Sequence, residues 1–411
     1  MLQQRFYSKY NLINIIISLI PLSYIAGNLI LNLNILILLI TTSILFRTEI
    51  FKVELNKIDK IILLFFVYTV FNGVFNNYLN FNFSNASDQN VVLNKSLLYS
   101  RYFLLYLFFR FLIERELINF KLMFWSFGLA SLFVSIDVII QNFVGKDIFG
   151  FEGGSRRLGG PFGEEYIAGA FIQKFFIFLV FGILLFFKTE RRWLFNILIF
   201  LVLILSGMGI LFSGNRVPLF LFILTLALIF FYEKKIRHVL IILSIVFMTA
   251  FAYLIKTNQD IYYSYIRFAH KSFQIIDYAK ERIKTDRVDI LNAHIKEIES
   301  GILTWQQNKF FGGGIKSFYF NCTKINKFMM ENYLKSCNSH PHNYYLEILG
   351  ILGIVGFLII LIMFFVVTVR ALKFIHFSEN ITEKSKFLIP FFIALIIEIF
   401  PFKTTGSFFT T

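Results

Sequence analysis

Three short stretches carry the residues whose types and spacing could do chemistry. His340-Pro-His342-Asn343 ends a long polar segment and stands directly before the apolar run that begins at Tyr344. Arg156 and Arg157 are adjacent within the glycine-dense stretch Gly153 to Gly163, and Arg216 follows Ser213-Gly-Asn. A histidine at the start of a helix feels the positive end of the helix dipole, which favours the neutral ring that accepts a proton. His342 is therefore the candidate general base. Guanidinium groups bind phosphate oxygens in pairs, so Arg156, Arg157 and Arg216 are candidate ligands for an anion held without a metal. Each has a plainer reading: the glycine stretch as a turn with solvated charges, and Arg216 as a side chain snorkelling to a membrane interface.

The elements that must position these residues are membrane helices. The chain is 57% hydrophobic and 19% aromatic, with 56 Phe, and its mean hydropathy of +0.69 excludes a soluble domain of this size. Apolar runs near 11–27, 28–46, 60–77, 98–114, 121–143, 166–187, 193–212, 216–232, 237–255, 344–369 and 387–402 are long enough to cross about 30 Å of hydrocarbon as helices. They predict an all-α polytopic fold with eleven transmembrane helices, the first retained rather than cleaved. Arg47, Lys52, Lys57, Lys60, Lys188, Arg191, Arg192, Lys234, Lys235 and Arg237 fall on one side of these spans, which is then cytoplasmic. The formal charge of +15 reflects that bias and not nucleic-acid binding. Arg156, Arg157, Arg216 and His342 all fall on the opposite, outer side.

Residues 1–255 read as helices 1–9, 256–343 as one large outer loop, and 344–411 as helices 10 and 11 with a tail. Such a long loop predicts a small folded unit, with an amphipathic pattern from Tyr278 to Ile295 and a glycine turn, Phe310-Phe-Gly-Gly-Gly314, after Trp305. The outer loop at about 78–97 carries no recognisable chemistry. Two charged residues stand inside spans, Arg101 and Asp137, where such groups usually face a cavity or a partner. Cys322 and Cys337, the only cysteines, are a disulfide candidate if the compartment is oxidising, or else two separate thiols. His340 and His342 lack a third ligand for a metal, and no cofactor fingerprint is present. Gly350, Gly353 and Gly356 recur every three residues, predicting that another helix packs closely there. Glu347 is about 140° around the helix from His342, so it is not expected to meet that ring directly, and its expected role is structural or in support of residues at the site, while Asn343 caps the helix or orients its neighbour.

Taken together, His342-Asn343 with Gly350 and Gly353, the Phe311-Gly-Gly-Gly314 turn, Arg157-Leu-Gly-Gly-Pro-Phe-Gly163 and Ser213-Gly-Asn-Arg216 resemble the O-antigen ligase and O-antigen polymerase superfamily of bacterial envelope glycosyltransferases. The motifs span about 150–356. The resemblance implies transfer of a glycan from an undecaprenyl-pyrophosphate carrier at the periplasmic face of the inner membrane. It implies proton abstraction by His342 and diphosphate binding by Arg157 and Arg216, with Arg156 as a substitute; Asn343 and the intramembrane Arg101 are further candidate substrate-binding residues. It implies a single inverting displacement without a metal or cofactor. The acceptor is another lipid-linked repeat in a polymerase, and lipid A core or a protein in a ligase. Polymerase is preferred here because the large loop offers no recognisable acceptor-docking feature. Members usually have about twelve helices, which predicts a twelfth beyond the eleven. A lipid-linked sugar transporter is the rival from another class, but transporters place polar sites near the midplane between repeats, and no repeat is evident.

Overall fold

The computed structural model describes residues 2–78, 86–154, 156–266, 293–322, 340–377 and 383–401, with 403 and 406–409. Among them the chain is helical, with one isolated bridge between Lys146 and Glu152. In chain order the helices are α1 (Leu2–Ser18), α2 (Ile20–Ile25), α3 (Asn28–Phe46), α4 (Lys57–Tyr78), α5 (Ala86–Tyr99), α6 (Arg101–Glu114), α7 (Phe120–Val144), α8 (Ala168–Phe186), α9 (Arg192–Phe212), α10 (Arg216–Tyr232), α11 (Arg237–Thr257), α12 (Ala293–Gln307), α13 (Tyr344–Phe377) and α14 (Glu383–Glu398). Eight helical segments among the described residues are long and apolar enough to cross a membrane, and Tyr10–Ile25 and Arg216–Tyr232 are shorter apolar helices. This is an all-helical, multi-pass membrane protein. Most of the segment expected to be a featureless outer loop at 78–97 is instead α5, whose residues Asn90 onward continue into a span that ends at Glu114.

The chain folds as two compact units interleaved in sequence: Met1–Ile50, Arg110–His270 and Phe374–Glu398 form unit 1, and Phe51–Phe109, Lys271–Lys373 and Ile399–Thr411 form unit 2. In unit 1, α7 packs along α8 and α9. Phe124, Phe171, Phe176, Phe181 and Phe222 are fully buried between its helices, while Leu29, Ile44 and Ile245 are 72%, 68% and 60% exposed. Lipid is as apolar as these outward side chains, so dispersion between interdigitated rings, rather than escape from water, holds the helices together.

Unit 2 is built around a broken helix. Gly353, inside α13, has φ of 65° and ψ of −170°, which interrupts the ladder of backbone bonds. An orphaned peptide group in hydrocarbon costs several kcal/mol, on the order of a whole hydrogen bond or more, and groups on both sides of the break find partners outside the helix. Gly313 and Gly314 amides donate to Gly350 and Ile351 carbonyls at 3.0 and 2.8 Å, and Ile354 and Val355 amides donate to Lys309 and Phe310 carbonyls at 2.9 and 3.2 Å. The Tyr68 hydroxyl donates to Leu352 O at 2.9 Å. One turn and two turns along α4, the Asn72 and Asn76 amides donate to Phe311 O and Gly312 O. The close partner of Gly353 is thus the 309–314 turn, not the neighbouring helix that the glycine spacing predicts. A Cβ on Gly353 would lie 2.2 Å from Phe310 O.

The first half of α13, from Tyr344 to the break, is a short helix tied at both ends. Asn343 caps it, its Oδ1 accepting from the Tyr345 and Leu346 amides at 3.0 and 3.1 Å. Asn343 also donates to Pro401 O at 3.0 Å, and the Tyr345 hydroxyl donates to Ile399 O. Glu347, 3% exposed, accepts from Ser407 Oγ and from the Phe408 amide at 2.7 Å. Phe409 is buried in a cluster with Phe65, Tyr99 and Ile348. The tail therefore clamps the helix head that follows His342, and Glu347 has the structural role expected of it.

Candidate functional site

The 145–163 loop of unit 1 is set by two polar residues one turn apart on α7. Asp137, fully buried, accepts from the Ile148 amide at 2.8 Å. Gln141 donates to Phe151 O at 3.1 Å and accepts from the Gly160 amide at 2.9 Å. Asp137 is thus a loop anchor. Its partner Gln141 was detectable only as a second polar residue at helical spacing in an apolar run.

That loop lands on the tip between α9 and α10. Gly214 has φ of +68° and its Cα faces Arg156 O so closely that a Cβ would stand 2.2 Å from it, while the Leu158 amide donates to Ser213 O at 3.3 Å. The contact delivers Arg156 and Arg157 to Arg216, the first residue of α10, and these two arginines and Tyr265 act electrostatically on the Arg216 guanidinium. Arg156 and Arg157 are exposed and Arg216 is half-buried. Tyr265, on the helical stretch 259–266, donates to Leu211 O at 2.8 Å; burial pushes its phenol up, opposed by Arg216. Beside this cluster a cavity of about 340 Å³ is lined by Arg156, Gly154, Gly214, Asp260 and Tyr265. Three cations gathered against their mutual repulsion favour an anionic ligand of more than one charge.

In unit 2, His342 occupies the position before the cap residue, with φ of +49°. Its ring centroid lies 4.4 Å from that of His340, and its Nε2 is 3.9 Å from Glu297 Oε1 of α12. Glu297 side-chain exposure is 14% against 35% for His342, so the carboxylate backs a ring that is still open to a substrate. Nothing in the sequence around Lys296-Glu297-Ile298-Glu299 marks this residue; only tertiary packing reveals it.

His340 sits in a different regime. Burial, then His342 and Lys316, hold it down from 6.5 to about 4, against the pull of Glu297. Between these values the unfolded chain binds a proton that the folded one does not, so stability is complete above about pH 6.5 and falls as pH drops toward 4. Thermal melts at pH 7 and 5 should show a larger loss for the native protein than for His340→Gln, which has no ring to protonate. Equal losses would remove His340 as the cause.

Arg101 opens α6 in unit 2, where its guanidinium donates to the Tyr102 hydroxyl at 3.2 Å and lies 5.0 Å from that ring. Cys322 is buried and disulfide-bonded, and Cys337 lies outside the described residues, as does the amphipathic pattern from Tyr278 to residue 292. Among the described residues no three His, Cys, Asp or Glu side chains cluster as a metal site would require. The structure thus brings Arg156, Arg157 and Arg216 together within unit 1, and His340, His342 and Asn343 with Glu297 within unit 2.

No curated protein matches the chain. Residues 201–361 match the family model described as O-antigen ligase, a stretch that contains Arg216, Glu297, His342 and the Gly353 break and leaves out Arg156 and Arg157. That match gives the chain an O-antigen ligase domain over residues 201–361 and supports its resemblance to the O-antigen ligase and O-antigen polymerase superfamily.

Proposed function

We propose that the protein is a glycosyltransferase that takes a glycan from an undecaprenyl-pyrophosphate carrier at the periplasmic face of the inner membrane. An O-antigen ligase domain supports a glycosyltransferase-type enzyme acting on a lipid-linked glycan and an acceptor. The observation that carries the reading is the convergence of Arg156, Arg157 and Arg216, because a diphosphate leaving group needs paired guanidinium groups where its charge develops. His342 takes the proton from the attacking acceptor hydroxyl as its oxygen bonds to the anomeric carbon and the carrier diphosphate departs. Glu297 stabilises the imidazolium so formed, as a carboxylate does behind a histidine base. One displacement inverts the anomeric centre, and no metal is required. The Lys and Arg excess of the short loops on the opposite side supports an outer position for Arg216 and for His342. The acceptor we favour is a second lipid-linked repeat, which makes the enzyme a polymerase; lipid A core would make it a ligase.

Purified protein with a lipid-linked oligosaccharide donor in EDTA tests this. Transfer should proceed and yield lengthened lipid-linked chains. Arg216→Ala should lower kcat/KM for the donor by about 10²-fold, the scale of one lost transition-state donor. Comparing Arg156→Ala with Arg157→Ala shows which of the pair meets the diphosphate. Undiminished transfer by Arg216→Ala sinks the diphosphate assignment. Lipid translocation without any transfer establishes the transporter instead.

A further inference from the structure

Unit 1 has a second cavity, of about 740 Å³, at the opposite end of its helices from the arginine cluster. It lies where α8 ends and α9 begins, and the turn before α11 reaches it through Lys235. Lys188, Arg192 and Lys235 line it against a single carboxylate, Glu190, leaving a net charge of +2. Phe187 and Phe195 give it an apolar floor. Asn196 also lines it, and its Oδ1 is buried with no hydrogen-bond donor against it among the described residues. From this mouth one face of α9 runs outward as Trp193, Ile197 and Leu201, which are 58%, 46% and 46% exposed.

Cations over an apolar floor, an acceptor lacking a donor and an adjoining apolar stripe describe one kind of molecule. We infer that this cavity seats the headgroup of an anionic glycerophospholipid whose headgroup carries hydroxyls. The phosphate oxygens meet Lys188, Arg192 and Lys235. A headgroup hydroxyl donates to Asn196 Oδ1, and an acyl chain lies along Trp193, Ile197 and Leu201. A choline headgroup has no donor for Asn196 and brings a fixed cation to a cationic cavity. An ethanolamine headgroup supplies a donor but adds a positive charge. The side is the one that carries the Lys/Arg excess of the short loops, so the site faces the leaflet richest in cationic anchors. The inference stands whichever glycan reaction the protein performs.

Native mass spectrometry of the full chain in detergent, titrated with phosphatidylglycerol, phosphatidylethanolamine or phosphatidylcholine, tests it. Phosphatidylglycerol should bind about tenfold or more tightly than either of the others, given the net cationic excess. The variant Lys188→Gln/Arg192→Gln/Lys235→Gln should lose that preference; the three side chains are exposed, and an unchanged melting temperature verifies its fold. Asn196→Leu should keep the charge preference and weaken phosphatidylglycerol alone. Equal binding of the three lipids, or a preference that survives the triple variant, overturns the proposal. Displacement of phosphatidylglycerol by inorganic phosphate also overturns it, since the occupant would then be a soluble phosphate.

Discussion

His342→Ala is expected to lower glycan transfer by about 10²-fold to 10⁴-fold, the contribution of a positioned general base, while donor binding stays close to that of the native protein. The site built around the ring is the reason. The histidine stands one residue before the cap of a helix whose first half is pinned by Asn343, Tyr345 and Glu347 to the 399–409 tail, and Glu297 lies behind it at 3.9 Å. Removing the ring deletes the proton acceptor without touching those bonds. Glu297→Gln keeps the shape and removes the charge that stabilises the imidazolium, so it should lower kcat by about tenfold or more and alter the pH profile, with KM for the donor little changed. Steady-state kinetics on both variants checks this. Native-like kcat in His342→Ala would exclude the base role, and a Glu297→Gln that changes only thermal stability would leave Glu297 as packing alone.

Gly353→Ala is the second large effect, and here fold, not chemistry, is lost. The added Cβ would stand 2.2 Å from Phe310 O and 2.6 Å from Gly312 N, both backbone atoms that cannot swing aside. It would also force a residue with a Cβ into φ of +65° and ψ of −170°, a region essentially restricted to glycine, which costs about 1–3 kcal/mol before any clash. Relief requires the 309–314 turn to withdraw, which strips partners from Gly350, Ile351, Ile354 and Val355 at once. The expected cost exceeds about 4 kcal/mol, the range that a single substitution reaches only by breaking such a network. Gly350→Ala is the matched control, three residues earlier, with nothing within 4 Å of its Cβ position; alanine in that helical setting should change stability by about 1 kcal/mol or less. Folded yield and melting temperature of the two variants in detergent separate them. Equal behaviour would show that the glycines act as one helix-packing stripe after all.

Much of the architecture is a consequence of composition. A run such as Arg192 to Phe212 can satisfy its backbone in lipid only as a helix, so each apolar run marked a helix before any packing was known, and His342-Asn343, Arg157 and Arg216 were recognisable because their residue types sit beside glycine and proline in otherwise apolar sequence. Periodicity failed where helix and turn share a composition. The three glycines at 350, 353 and 356 have one spacing and three environments, and only the position of the 309–314 turn makes Gly353 irreplaceable. Glu297, Tyr265 and the tail bonds to Glu347 had no local signature. Each acts on a group distant along the chain, and such a contact is chosen by the packing of whole helices, not by neighbours in sequence. What the sequence by itself determined is therefore the helical, membrane-bound class and the chemical types at the sites. The tertiary structure decided which carboxylate backs which histidine, which backbone groups close the broken helix, and that Arg156 and Arg157 meet Arg216, because burial and close approach are properties of the assembled fold.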